Sequence, residues 1–185
     1  LDDDQYGIVA GERARKLGVS ATQKMEIDAA SVFNNAFSSS YTGADGKPLC
    51  STTHPRNPNK SGNLVNAGTS ALTKAAVSET RQAMMSTEDD AGNILGMMPN
   101  ALMVPPELED TALEIVNSLQ DPTSANNAIN PQAGRFTVIP WHYLNDSNNW
   151  FMMDTVWMNL SLKWYNRTPL EISVADQTAT EAVYE

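Results

Sequence analysis

At 185 residues with 41% hydrophobic content, the chain is long enough to bury one ordinary domain or two small lobes, which excludes disorder as its default. A formal net charge of -10 with only 12 Lys and Arg excludes phosphate-backbone binding as a main task, since that affinity comes from clustered cations. The single cysteine, Cys50, excludes an internal disulfide and any metal site built from several thiolates, and no apolar run approaches the ~18 residues that suggest a membrane span.

The opening Leu1-Asp2-Asp3-Asp4 lacks the positive start of a signal peptide, so no membrane partner is expected. From about Asp4 to Ser39 the chain carries no proline and reads as helical, with Gly18 expected to break it in two. In the second part Met25, Ala29, Val32, Phe33, Ala36 and Phe37 recur at the spacing of one helix face. From Ser38 to Ser70 the composition turns to Ser, Thr, Asn, Gly and Pro, with Asp45-Gly46 and His54-Pro55 as turn signals. A long irregular connection is uncommon inside a compact domain and usually binds something, covers a site or meets a neighbour.

Helix resumes near Ser70, with Leu72, Ala75, Ala76, Glu79, Ala83 and Met84 on one face, and ends before the acidic run Glu88-Asp89-Asp90. Ile94-Leu95-Gly96 and Ala101-Leu102-Met103-Val104 read as short strands, the second halted by Pro105-Pro106. A helix follows directly, its stripe made by Leu108, Ala112, Leu113, Ile115, Val116 and Leu119, with Glu107, Glu109 and Asp110 at the positive end of its dipole.

Asp121 to Gly134 is polar and turn-rich, and it leads into the strand Phe136 to Pro140. Trp150 to Asp154, Asn159 to Tyr165 and Leu170 to Val174 follow as strand candidates. Helices first and strands last argue for an α+β fold, without a fixed-period repeat.

The residues offer little chemistry. His54 and His142 form no metal-binding spacing, and Glu88-Asp89-Asp90 lacks the ligand alternation of a calcium loop. No glycine-rich phosphate loop is present, and Trp141, Trp150, Trp157 and Trp164 read as core or interface anchors. A thiol nucleophile at Cys50 with His54 as its base is the one enzymatic arrangement the sequence permits, as a small hydrolase. A monomeric binding module is a further reading open to a chain of this composition.

Several landmarks fall in a recognisable order. They are Asp3 to Gly7, the loop Asp45 to Pro55 after a long helix, Gly92 to Gly96 with Pro99 to Pro106, then Asn149 to Asp154 and Leu162 to Glu171. Together they resemble the major head subunit family of Mu-like phages and prophages, whose members adopt the capsid fold first described for phage Hong Kong 97. The family usually has a large apolar residue where Cys50 stands.

The resemblance implies a major capsid protein of a tailed, double-stranded DNA phage or prophage, a structural protein with no catalytic residue, no cofactor and no metal. Ala21 to Ser39 would be the spine helix, residues 1–40 peripheral-domain helices, residues 41–150 an axial domain, and residues 151–185 strands returning to the periphery. Family members extend at both ends, so a longer natural chain is expected. The implied partners are identical subunits in pentamers and hexamers, with scaffolding, portal and decoration proteins, around DNA that is enclosed without sequence-specific contact. The implied location is the virion capsid, assembled in the host cytoplasm. A cell-encoded nanocompartment shell of the same fold is the alternative.

On this reading the candidate subunit-contact residues are Asp45, Gly46, Lys47, Pro48 and His54 in the long loop, and Glu88, Asp89 and Asp90 in the acidic turn. Asn126 and Asn127 join them from the polar stretch Ser124 to Asn130, with Arg167 near the end of the chain.

Overall fold

The computed structural model describes residues 6–56, 61–89, 91–120 and 128–168. The chain divides into two compact units, one made by Leu1–Ile27 with Trp164–Glu185, the other by Asp28–Lys163. No helix among the described residues is long and apolar enough to cross a membrane.

In the first unit the described chain is almost entirely helix α1 (Tyr6–Asn34), whose last residues belong to the second unit. Gly18 does not break it. A glycine inside a helix costs about 1 kcal/mol relative to alanine, which long helical flanks offset, and Thr22 Oγ1 donates back to the Gly18 carbonyl at 3.2 Å.

The second unit is built around a three-stranded sheet of order β4-β3-β5, with β3 (Ala101–Val104) in the middle. Strand β4 (Thr137–Pro140) runs parallel to it and β5 (Phe151–Met153) antiparallel, with Met103 opposite Ile139 on one side and Phe151 on the other. All four β3 residues are buried, as the unbroken apolar run Ala-Leu-Met-Val requires of a strand covered on both faces.

Alternation along β3 sorts the core into two clusters. Leu102 and Val104 pack with Leu72, Val77, Ala112, Ile115, Val116 and Phe136. Met103 points the other way, to Phe33, Ala36, Leu144 and Phe151. Helices α2 (Lys74–Met85) and α3 (Glu109–Asn117) supply the first cluster, the end of α1 the second. Phe33 meets Phe151 edge to face at 5.3 Å and Trp141 at 5.8 Å, the arrangement aromatic quadrupoles favour.

Local chemistry sets the element ends. Thr73 caps α2 by accepting from the Ala76 amide at 3.1 Å. Pro106 opens a single 3-10 turn, Pro106–Leu108, that leads into α3, with Glu109 and Asp110 in its first turn. Asn34, the last residue of α1, donates to the Tyr143 carbonyl at 2.8 Å and accepts from the Asn145 amide at 2.9 Å.

The α+β class therefore stands, while several expected elements change. The strand expected at Asn159 to Tyr165 does not form: residues 159–161 end helix α4 (Thr155–Ser161), which Asp154 caps by accepting from the Val156 and Trp157 amides, and residues 162–165 are irregular. Ile94 makes only an isolated bridge to Glu88 instead of a strand. Strands and helices interleave, since α3 crosses between the parallel pair β3 and β4. On α1 Ala30 and Phe33 are buried, with Met25 and Val32 outward; past its end Ala36 is buried, and the half-exposed Phe37 ring stacks on Phe151 at 6.1 Å. Leu119 lies past the end of α3, exposed, and Val77 takes the buried place on α2 that the sequence reading gave to Ala75. Asn130, read as part of a contact loop, is inside the unit. The strand expected at Leu170 to Val174 lies outside the described residues.

Candidate assembly interface

The long segment after α1 is irregular in outline and closely tied within. Asp45 Oδ1 accepts from the Lys47 amide at 3.0 Å, folding the chain back on itself as aspartate does at a turn. Gly46 takes φ 72°, a conformation that a Cβ would strain, and Gly43 and Lys47 close the turn with a 2.8 Å backbone bond. Beyond Pro48 the chain returns to the end of α1, where the Cys50 amide donates to the Ala36 carbonyl at 2.8 Å. Two short strands, β1 (His54–Pro55) and β2 (Asn63–Leu64), then pair antiparallel, His54 opposite Leu64.

Asn66 gathers this segment. Its Nδ2 donates to the Leu49 carbonyl at 2.8 Å, which orients the amide so that Oδ1 accepts from the Ser51 amide at 2.7 Å and meets His54 Nε2 at 3.2 Å. The other ring nitrogen of His54 lies 2.6 Å from Asp45 Oδ2. Both nitrogens face oxygens that act as acceptors, so the ring makes both bonds together only when each nitrogen carries hydrogen. The hydrogen bond from His54, helped by the Lys47 amide, holds the Asp45 carboxyl below its ordinary range. Turn, strand pair and incoming chain are thereby joined through three side chains.

This arrangement does not serve a thiol nucleophile. Burial pushes the Cys50 thiol up to about 11, the wrong direction for a thiolate. His54 is committed at one nitrogen to Asp45 and at the other to Asn66. No group of three His, Cys, Asp or Glu placed to hold a metal ion occurs among the described residues.

The acidic turn is equally self-contained. Asp89 accepts from the Ala91 and Asn93 amides, both at 2.8 Å, and from Asn93 Nδ2 at 3.0 Å; the Asn93 side chain, then its amide, hold the Asp89 carboxyl low. Glu88 lies 3.5 Å from the Arg56 guanidinium, an ion pair joining the turn to the residue that follows β1. Partly exposed pairs of this kind contribute about 0–1 kcal/mol, so the pair orients more than it stabilises.

Of the candidate contact residues, the structure thus brings Asp45 and His54 into direct contact and links Glu88 to the same segment through Arg56. Gly46 and Lys47 shape the turn, with Pro48 bridged to Thr42. Arg167 is exposed in the irregular residues 162–168. Asp90, Asn126 and Asn127 lie outside the described residues. The sequence reading missed Asn66, and the only signal for it was an amide side chain within a polar segment.

Comparison with known proteins follows the same direction. A family model described as phage capsid protein matches residues 1–182. Among solved structures, the capsid of bacteriophage JBD30 decorated with minor capsid protein trimers aligns with a TM-score of 0.54 at 20% identity, covering 78% of this chain and 69% of that one. That likeness is one of fold. No curated protein matches the chain.

Proposed function

The chain belongs to the phage capsid protein family, and from that premise we propose that it is the repeating subunit of an icosahedral head, arranged in pentamers and hexamers. As a phage major capsid protein its place is the capsid of the virion. The family match over residues 1–182 carries this reading, and it favours a phage shell over a cell-encoded nanocompartment. It supports a structural role, for which the proposed mechanism is contact between copies.

In the proposed arrangement residues 1–40 and 151–185 serve the periphery of the subunit and residues 41–150 surround the axis of each capsomer. The contact-makers are the loop Asp45 to Pro55, the acidic turn Glu88 to Asp90, Asn126 and Asn127, and Arg167. What supports the loop is its hydrogen bonding: a segment already held by Asp45, His54 and Asn66 loses little conformational freedom when a neighbour packs on it. Closed symmetry then multiplies modest contacts into a stable shell.

The shell encloses double-stranded DNA without reading it, in keeping with a net charge of -10. Scaffolding, portal and decoration proteins are the partners proposed for the assembly line, and the host cytoplasm its site. The decorated JBD30 capsid supports an outer surface able to take a second protein.

Light scattering with negative-stain microscopy tests the proposal on the chain within its natural limits, alone and with neighbouring phage proteins. Rings, shells or tubes are expected. A monomer under every condition would contradict the capsid role and return the chain to a binding module.

A further inference from the structure

Asp154 is 6% exposed and divides its two oxygens between two chain segments. Oδ2 accepts from the Met98 amide at 2.7 Å, and Oδ1 accepts from the Val156 amide at 2.9 Å and the Trp157 amide at 3.3 Å. One step along, Asn100 and Thr155 exchange hydrogen bonds, Asn100 Nδ2 to Thr155 Oγ1 at 2.9 Å and the Thr155 amide to Asn100 Oδ1 at 3.0 Å. The approach to β3 and the start of α4 are therefore fixed side by side by three side-chain bonds between segments more than fifty residues apart in the chain.

What this clasp displays is apolar. Met98 is 65% exposed, Val156 65%, Leu160 66% and Trp157 40%. At 100° per residue, Val156 and Leu160 stand on the side of α4 opposite Met158, and Met158 packs inward on the Phe33 cluster. Single exposed leucines are ordinary, but several exposed apolar side chains on one short helix and on the segment hydrogen-bonded beside its start mark a contact. The sequence is also without Asp, Glu, Lys or Arg from Ala91 to Pro106 and from Thr155 to Leu162. Asp154, between these runs in space, is buried and spends its charge on amides.

We propose that this uncharged face, carrying Met98, Val156, Trp157 and Leu160, docks against a second copy of the chain. The inference rests on the capsid-subunit reading and names the surface through which it operates. Two copies each of net charge -10 repel one another, and contact is least opposed where no charge is presented. Four side chains at these exposures offer a few hundred Å², against ~800 Å² per partner for a stable free-standing pair. Such a face holds a neighbour weakly by itself and firmly within a closed array, as a shell subunit must.

A cysteine scan on the full-length protein tests this. Leu160→Cys places a thiol on the face, while half-buried Cys50 remains as the slow internal reference. The new thiol should react with a maleimide rapidly in the free subunit and roughly tenfold or more slowly in assembled shells, as a neighbour excludes solvent. Equal rates in both states would overturn the docking face and leave the capsid reading intact. Protection already present in the free subunit would assign the patch to its own chain, and protection only after a decoration or scaffolding protein is added would assign it to a foreign partner; either overturns the proposal. Leu160→Glu should abolish shells with an unchanged thermal midpoint, whereas Leu160→Met assembles; shells from the Glu variant would count against it. A wild-type chain that never assembles overturns the capsid reading and this face together.

Discussion

Asn130 Nδ2 lies 2.7 Å from the Ile115 carbonyl oxygen, placing a fully buried amide under the last turn of α3. The same nitrogen donates to the Ser118 carbonyl at 2.8 Å, and Oδ1 accepts from the Gln132 amide at 3.0 Å. Carbonyls at the end of a helix have no partner within it, so Asn130 does from a distance what a cap does locally. Asn130→Ala removes the partner of three backbone groups, the Ile115 carbonyl buried among them, and should cost about 3 kcal/mol in urea unfolding. Asn130→Asp keeps the acceptor, loses both donors and buries a charge, and should cost at least as much. A midpoint unchanged in both variants would show that water replaces the amide freely.

Asp154 gives the acid limb of stability. Burial pushes its carboxyl up, and the amides of Met98, Val156 and Trp157 outweigh that and hold it below the ordinary 3.8. A lowered carboxyl contributes fully above the ordinary value, and the contribution is lost as pH falls through the lowered one. Denaturation midpoints should therefore drop below about pH 4, more steeply for the native chain than for Asp154→Asn. The Asn variant should also lose about 2 kcal/mol near neutrality, since its NH2 faces amides that need an acceptor. Parallel pH curves for the two proteins would remove Asp154 from this role.

Cys50 should be slow to react. With its thiol pushed up to about 11 by burial, its thiolate near neutral pH is roughly two orders of magnitude scarcer than that of an unperturbed thiol. Iodoacetamide labelling followed by mass measurement reads this directly, and modification at the rate of free cysteine would show the loop opening around it.

Asn66→Ala should loosen the loop without unfolding the domain. The Ser51 amide, the His54 ring and the Leu49 carbonyl lose their shared partner. Hydrogen exchange at the Ser51 amide should rise roughly tenfold or more, with overall stability within about 1 kcal/mol. Unchanged exchange at Ser51 would mean that Asp45 and His54 hold the loop without it.

What could be read from the sequence is what repeats locally. Helical spacing found Phe33 on α1, Ala36 just past its end, and Ala112, Ile115 and Val116 on α3, while a β-branched and aromatic run found β4 and short apolar runs found β3 and β5. Turn chemistry marked Asp45-Gly46, and His54 stood close enough in the chain to share a loop with it. An element started by one capping side chain was missed: from Asp154 the chain enters α4, which takes in residues 159–161 that were read as the start of a strand. The parallel pairing of β3 with β4 and the position of Asn66 were hidden for another reason. Each depends on partners many residues away, and neither leaves a periodic trace.

The position of β3 in the middle of its sheet governs when a subunit becomes competent. Its partners come late, at Thr137–Pro140 and Phe151–Met153, and the carboxylate that clasps Met98 is the very next residue, Asp154. A chain emerging from the ribosome amino end first leaves one edge of its central strand unpaired until Met153 has been made. The last strand to arrive completes the sheet, and the residues that close the clasp, Asp154 to Trp157, follow it at once. Translation itself thus acts as a checkpoint, because a polypeptide that stops short of Trp157 lacks both the finished sheet and the uncharged face proposed to meet a second copy.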